Sequence, residues 1–366
     1  AYPVASMNTP AEKRVAVVGS GIAGLTAAHL IARKHHVTLY ERESTLGMDA
    51  HSVRHHRARV DIPLRVFSEA YYPNLCKLYT LIGIVYHSAD YSFSLLRAVR
   101  APSAYFRYAN FFHKGASYPY PSLGMLLYPP TAAKYARLLF SFLHLLMRSP
   151  GSIAEPTLAG LALAAFLIAC GYSREFATEM LYPMLSVVCT CSFESVSRYP
   201  AALIVDYFAE KYGLSGAQCR ACQGTSEVVS RLSKPVHHVV LGASVSAVCA
   251  SKTSDDSPCV TWIDADGTEH SAAFDEVVVA TQANVGAHIL QTPHTEQLDA
   301  LGSFKYERFR VCLHEDATLM PPRRSDWRPL NITADTGARA ASVTVWMNRI
   351  DADLDGQVDG HEIRIA

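Results

Sequence analysis

The chain has no surplus of charge of either sign. Thirty-three Lys and Arg stand against thirty-three Asp and Glu over 366 residues, a formal net charge of zero at pH 7. Proteins whose main partner is nucleic acid neutralise phosphates with a basic excess, so that class is set aside. Nor is there an apolar run of the ~20 residues that a membrane-crossing helix needs. The longest candidate, LAGLALAAFLIAC (Leu158–Cys170), is too short and reads as a buried core helix. No basic stretch followed by an apolar one precedes Met7, so a secretory leader is not expected there. Cysteine is present but unpatterned, with nine residues scattered from Cys76 to Cys312. An odd, scattered set fits reduced thiols and a cytoplasmic setting. Cys189/Cys191 and Cys219/Cys222 combine CxC with CxxC spacing, and no histidines follow at finger spacing, which argues against a zinc finger.

What is there is apolar: 49% of residues are hydrophobic and 18% charged, so the chain is globular with core enough for two or three structural units. The most informative stretch is VAVVGSGIAGLTAAHL, Val15–Leu30. Arg14–Val18 reads as a strand buried on both faces, and Leu25–Arg33 as a helix. His36–Glu41 (HVTLYE) is a second strand ending in an acid twenty residues after Gly21. This order, strand, GxGxxG turn, helix, strand, acid, is that of a dinucleotide site. Gly19 permits the tight turn, Gly21 admits a pyrophosphate and Gly24 lets helix and strand pack closely. Glu41 stands where a carboxylate accepts from an adenosine ribose, and it would repel the 2′-phosphate of NADP.

Beyond Glu41 the chain runs RESTLGM, with Gly47 six residues after the acid. The pattern GxGxxGxxxA, the acid and this second turn resemble the FAD fingerprint of the flavin amine oxidase and phytoene desaturase superfamily. Segments DAHSV (Asp49–Val53), Val60–Gly83, Gly171–Ala201, QGTSEVVSRL (Gln223–Leu232), Val277–Leu290, Phe304–Trp327 and SVTVWMNR (Ser342–Arg349) are similar to the amine-oxidase-like FAD/NAD(P)-binding flavoproteins of fungi and bacteria. The resemblance implies an α/β chain. A Rossmann-like FAD domain with a parallel sheet, residues 11–60 and 216–285, would carry an inserted α+β substrate domain, residues 61–215 and 286–349, helical first and then strand-rich. Residues 350–366 would be an acidic tail. It implies cofactor contacts at Gly19, Ser20, Gly21, Ile22, Ala23, Gly24, Glu41, Arg42, Gly47, Met48, His51 and Ser52. The strand-like Val239–Val248 would bring Val245 to the adenine, and Glu276–Thr281 would end near the dinucleotide at Ala280 and Thr281.

Three departures from the family stand out. Met48 replaces a second glycine, and Ile62–Pro63 replaces a Thr-Gly beside the flavin. The family's glycine turn and helix that cover the flavin have no counterpart between Arg349 and Ala366. A truncated relic that binds nucleotide without turnover is therefore a second reading.

Flavoenzymes need no nucleophile of their own. Candidate lining groups are His51, Ser52, Arg65, Tyr71, Tyr72, Trp346 and Asn348, with His314 and Asp316 as a proton-transfer or structural pair. Apolar helices and few charges in the substrate domain favour an apolar, lipid-like substrate over a small amine. The resemblance leaves desaturation, isomerisation and oxidation open. Tyr135–Met147 (YARLLFSFLHLLM) suits peripheral membrane contact.

The tail holds a motif of another kind. DADLDGQVDGHE places Asp351, Asp353, Asp355 and Glu362 at loop positions 1, 3, 5 and 12 of an EF-hand, with Gly356 at 6, so calcium binding is a third reading. The strand-like Ala341–Asn348 before it and only four residues after Glu362 leave the loop without its flanking helices.

Overall fold

The computed structural model describes residues 11–47, 51–97, 103–113, 116–127, 129–153, 160–209, 218–249, 257–291, 293–335, 337–351, 354 and 361–366. The chain divides into two compact units.

The smaller unit gathers residues 1–51, 81–83 and 225–306. Strand β1 (Arg14–Val18) lies between β2 (His36–Tyr40) and the strand Glu276–Val279, with His238–Val240 beyond β2, and all neighbours are parallel. Val15 pairs with Val37 on one side and Glu276 on the other. Val15, Val17, Val37 and Leu39 are buried, as a parallel strand covered on both faces requires. Each such side chain contributes about 1.5–3 kcal/mol by leaving water. Helix α1 (Ile22–Ile31) buries Gly24, Leu25 and Ala28, a small-residue face that lets it pack closely. A three-stranded antiparallel sheet, Ser244–Cys249, Cys259–Ile263 and Glu269–Ala273, completes the unit.

Val239–Val248 is not one strand. It breaks at Leu241–Ala243, where Gly242 takes φ +66°. The break exists because this segment bonds the β2 exit: Glu41 N–H donates to the Val240 carbonyl, Gly242 N–H to Glu43 and Ala243 N–H to Glu41.

The larger unit gathers residues 52–80, 84–224 and 307–366. Its seven-stranded sheet runs Leu313–His314, Arg364–Ile365, Ser342–Trp346, Leu330–Thr333, Phe93–Leu96, Phe106–His113, Ala116–Pro121. Buried Asn331 ties its centre together, accepting from Ser94 Oγ (3.0 Å) and donating to the Thr344 carbonyl (3.1 Å). Helices Pro129–Ile153, Leu163–Ala169, Tyr182–Cys189 and Ala201–Ala209 share one core with the sheet, including Phe106, Phe142, Phe166 and Phe208. The expected order, helices first, is corrected here: strands at Tyr86–Ala89, Phe93–Leu96, Phe106–His113 and Ala116–Pro121 come before these helices. In the apolar run Leu158–Cys170, Leu163, Phe166 and Leu167 are buried but Ile168 is 79% exposed. No helix among the described residues is long and apolar enough to cross a membrane.

Candidate functional site

The glycine loop closes on itself. Gly19 leaves β1 at φ +98°, and its N–H donates to the Tyr40 carbonyl at the end of β2 (2.9 Å). Gly21 is the N-cap of α1, in extended backbone (φ −60°, ψ 173°); no side chain caps the helix and no acid lies in its first turn. The first N–H groups of a helix lack partners within it and sit at its positive dipole end, so this end is suited to a diphosphate. A Cβ placed on Gly21 would meet nothing within 4 Å, whereas one on Gly24 would lie 1.9 Å from the Gly19 carbonyl oxygen. Gly24 thus serves packing, and Gly21 keeps a surface open.

Glu41 directly follows β2, one strand over. Its Oε2 accepts from the Ser20 N–H (3.0 Å) and from the Ser20 hydroxyl, and its Oε1 accepts from the Glu43 N–H (2.9 Å). Ser20 is fully buried, and its Oγ also accepts from the Gly47 N–H (3.1 Å). A carboxylate has about four lone-pair positions, so Oε1 keeps one for a ribose hydroxyl. A second comes free if the Ser20 hydroxyl turns to the Gly47 carbonyl, 3.2 Å away. The acid, the serine and the second turn are therefore one connected network.

Other expected contacts divide. Ala280 and Thr281 flank Gly19: a Cβ there would meet the Ala280 carbonyl at 3.1 Å and the Thr281 methyl at 3.4 Å. Val245 sits on the antiparallel sheet opposite Trp262, beside a bulge. Ile22 and Ala23 open α1. Arg42 is exposed and paired with its neighbour Glu43 (3.0 Å). Ser52 belongs to the larger unit, where it donates to Asp61 Oδ1 (2.5 Å). His51 begins the strand His51–His55, and Met48 lies outside the described residues.

In the larger unit Arg220 and Arg364 are the most buried charges among the described residues, each 1% exposed, and spacing alone singled out neither; Arg220 is the one that joins distant segments. It donates to Asp351 (2.7 Å) and reaches Asp61 (3.4 Å), while its Nη1 donates to the Arg65 carbonyl (3.3 Å). The arginine fixes three chain segments far apart in sequence. Gly224, at φ +75°, lies against this group: a Cβ would fall 2.9 Å from Asp61 Oδ1 and 3.1 Å from Ser52 Oγ. Tyr71 and Tyr72 are half-exposed and pack edge to face (4.7 Å). Burial raises the Tyr72 phenol above its ordinary value, and Tyr71 beside it adds to the shift.

His314 and Asp316 form a turn and no carboxylate–imidazole pair. The Asp316 N–H donates to His314 Nδ1 (3.1 Å), and the Asp316 carboxylate accepts from the Thr318 N–H (2.8 Å). Burial, and then the charge of Arg364, hold His314 below the usual imidazole range, so it is neutral near pH 7. Trp346 packs edge-on against Trp327 (5.3 Å) with the Arg324 guanidinium over both rings. Asn348 is structural: it accepts from the Ile363 N–H (2.7 Å) and donates to the His361 carbonyl (3.0 Å). A groove of about 580 Å³ in this unit is lined by Phe193, Glu194, Glu307, Phe309 and Arg339 among others. Glu307 is taken up by Ser192 and Ser195, whose hydrogen bonds hold it below the usual carboxylate range.

In the tail, the two ends of the expected calcium loop are held by arginines: Asp351 by Arg220, and Glu362 by Arg324 and Arg364. Asp353 and Asp355 lie outside the described residues. After Glu362 comes the strand Arg364–Ile365. Among the described residues no cysteine joins a group of metal-ligating side chains.

Residues 17–80 match the NAD(P)-binding Rossmann-like domain family. No curated protein sequence matches the chain significantly. Among solved structures, a CLA-producing fatty acid isomerase from P. acnes superposes with a TM-score of 0.63 at 12% identity, over 98% of this chain and 77% of that one. Putrescine oxidase bound to putrescine gives 0.59 at 15%, over 97% and 75%. Cyclohexylamine oxidase from Brevibacterium oxydans IH-35A gives 0.54 at 15%, over 80% and 63%. The glycine loop and parallel sheet thus lie in a stretch that matches the NAD(P)-binding Rossmann-like domain model, and the chain shares the fold of these oxidases and of the fatty acid isomerase.

Proposed function

We propose that this protein is an FAD-dependent oxidoreductase of amine-oxidase type, taking hydride from an apolar or amine substrate in a desaturation, isomerisation or oxidation. The observation that carries this reading is one constellation: an uncapped, acid-free helix end, open space at Gly21, and Glu41 one strand away with a lone pair to spare. The residues fit the adenine half of FAD. The N–H groups of the first turn of α1 would hold the diphosphate, Glu41 would take the ribose hydroxyls, and Ser20 would fix the carboxylate. The same carboxylate repels a 2′-phosphate, which disfavours NADP. Bound flavin would supply the hydride acceptor.

The apolar substrate is supported by the surface of helix Pro129–Ile153. Phe140 and Met147 are 70% and 72% exposed, and with Leu143 between them they fall on one helical face at spacings of three and four. Such a stripe suits peripheral contact with a lipid surface, the source of a lipid-like substrate. A fatty acid isomerase shares the fold. The putrescine and cyclohexylamine oxidases keep the amine alternative in the proposal.

The test is the absorbance spectrum of the purified protein. Flavin bands, release of FAD on denaturation and bleaching by an anaerobic fatty-acid or amine substrate are expected. Colourless protein that takes up no FAD on reconstitution overturns the reading, and FAD binding without bleaching leaves the relic.

A further inference from the structure

A second polar constellation lies in the larger unit and takes no part in the nucleotide site. The hairpin joining strands His51–His55 and Ala58–Ile62 carries adjacent histidines at its tip. His56 adopts a left-handed backbone, φ +54°, which is unfavourable for a residue with a Cβ. That turn sets its ring against His55, with centroids 4.5 Å apart. Glu315 follows the short strand Leu313–His314, whose partner Arg364–Ile365 is preceded by His361. The ladder thus brings a third imidazole to the same carboxylate. His55 Nε2 and His56 Nε2 lie 2.8 and 2.6 Å from Glu315 Oε1, and His361 Nδ1 lies 2.9 Å from Oε2. The rings of His56 and His361 stack at 4.2 Å.

Two histidine nitrogens and a carboxylate oxygen, all within 4.8 Å of one another, are a ligand set. Neutral imidazole and carboxylate suit borderline divalent ions, which bind them at about 2.0–2.2 Å. Calcium and magnesium take oxygen alone. We propose that His55, His56 and Glu315 form a binding site for a divalent transition metal of the zinc class, with His361 holding the second carboxylate oxygen. The metal replaces the hydrogen bonds into Oε1: four-coordinate spacing of about 3.3 Å between donors requires the two nitrogen–oxygen pairs to open from 2.8 and 2.6 Å and the two imidazole nitrogens to close on one another. Solvent fills the remaining position: the side chains are 32–36% exposed, so the ion enters from water. Bound metal would pin the hairpin tip to the Glu315 turn. The inference does not rest on the flavin reading.

The test uses the full chain, stripped with EDTA and titrated with Co²⁺ as a spectroscopic probe, then with Zn²⁺. One equivalent of Co²⁺ should give visible d–d absorption without thiolate charge-transfer bands, and one equivalent of Zn²⁺ should abolish it. His56→Ala and the near-isosteric Glu315→Gln should each weaken binding about tenfold or more, while His288→Ala leaves it unchanged. Circular dichroism checks that the variants fold. Absence of saturable Co²⁺ absorption, thiolate bands, or wild-type affinity in a folded Glu315→Gln chain overturns the proposal.

Discussion

A methyl group on Gly24 would stand 1.9 Å from the carbonyl oxygen of Gly19, deep inside van der Waals contact. The first turn of α1 and the end of β1 can approach this closely only because position 24 has no side chain. Gly21, three residues earlier, faces open space in a backbone that any residue adopts. Two glycines of one motif thus differ: one is demanded by the packing of the fold, and the other leaves the helix end open.

Substituting them should separate the two. Gly24→Ala is expected to cost about 3 kcal/mol or more, read from urea unfolding, because backbone must move on both sides. Gly21→Ala should stay within about 0.5 kcal/mol of the parent yet lower FAD affinity, read by flavin fluorescence on titration. Tight FAD binding by Gly21→Ala would place the diphosphate elsewhere.

Glu41→Gln removes the charge but keeps the shape. The loss of a charge-assisted hydrogen bond to ribose, about 1.5–3 kcal/mol, corresponds to a Kd for FAD raised about ten- to hundredfold. Ser20 loses its carboxylate partner too, so Ser20→Ala should weaken binding in the same direction by less. Equilibrium dialysis of the apoprotein against FAD measures both, and an unchanged Kd in Glu41→Gln would remove the acid from the site.

Arg220 is the keystone of the larger unit's buried charges. Arg220→Met leaves Asp61 and Asp351 in the interior without their guanidinium and should destabilise the protein by about 3–5 kcal/mol. Pairing it with Asp351→Asn should recover part of that loss. Denaturant midpoints of the two single variants and the double decide, and additive losses would mean the groups are not coupled.

Acid should loosen the tip of the hairpin. Hydrogen bonds from His56, then His361 and His55, hold the Glu315 carboxyl down at about 2. A carboxyl whose folded pKa is depressed contributes stability above its unfolded pKa, near 4.3, and loses it as pH falls toward the folded value. In EDTA the parent should therefore lose stability relative to Glu315→Gln between about pH 4.5 and pH 2. Parallel denaturation profiles of the two chains over that range would contradict the assignment.

Much of the glycine loop and its surroundings was legible because their constraints are local. The glycine turn, α1, β2 and Glu41 fall within 28 residues, from Arg14 to Glu41; Gly24 answers to Gly19 inside that stretch and Gly19 to Ala280, while Gly21 faces open space. The strand Glu276–Val279 was legible as a run of β-branched residues, although its valines are only partly buried. What escaped depends on distant partners. Val239–Val248 reads as one strand until Gly242 turns it to bond Glu43, some two hundred residues earlier. The tail reads as a calcium loop, and its first acid, Asp351, is bonded to Arg220, 131 residues away. His55, His56, Glu315 and His361 come from three segments, and only the dense histidines of HSVRHHR hinted at them.

The central place of β1 has a consequence for synthesis. At translation rates of about 5–20 residues per second its first neighbour, β2, leaves the ribosome almost at once, but the strand on its other side follows roughly 15–50 s later. For that interval a nascent chain displays one open edge of an apolar strand, the template on which misassembly starts. Chains stalled before Glu276 should therefore be clients of holding chaperones, and a pause in translation should cost yield upstream of that residue and spare it downstream.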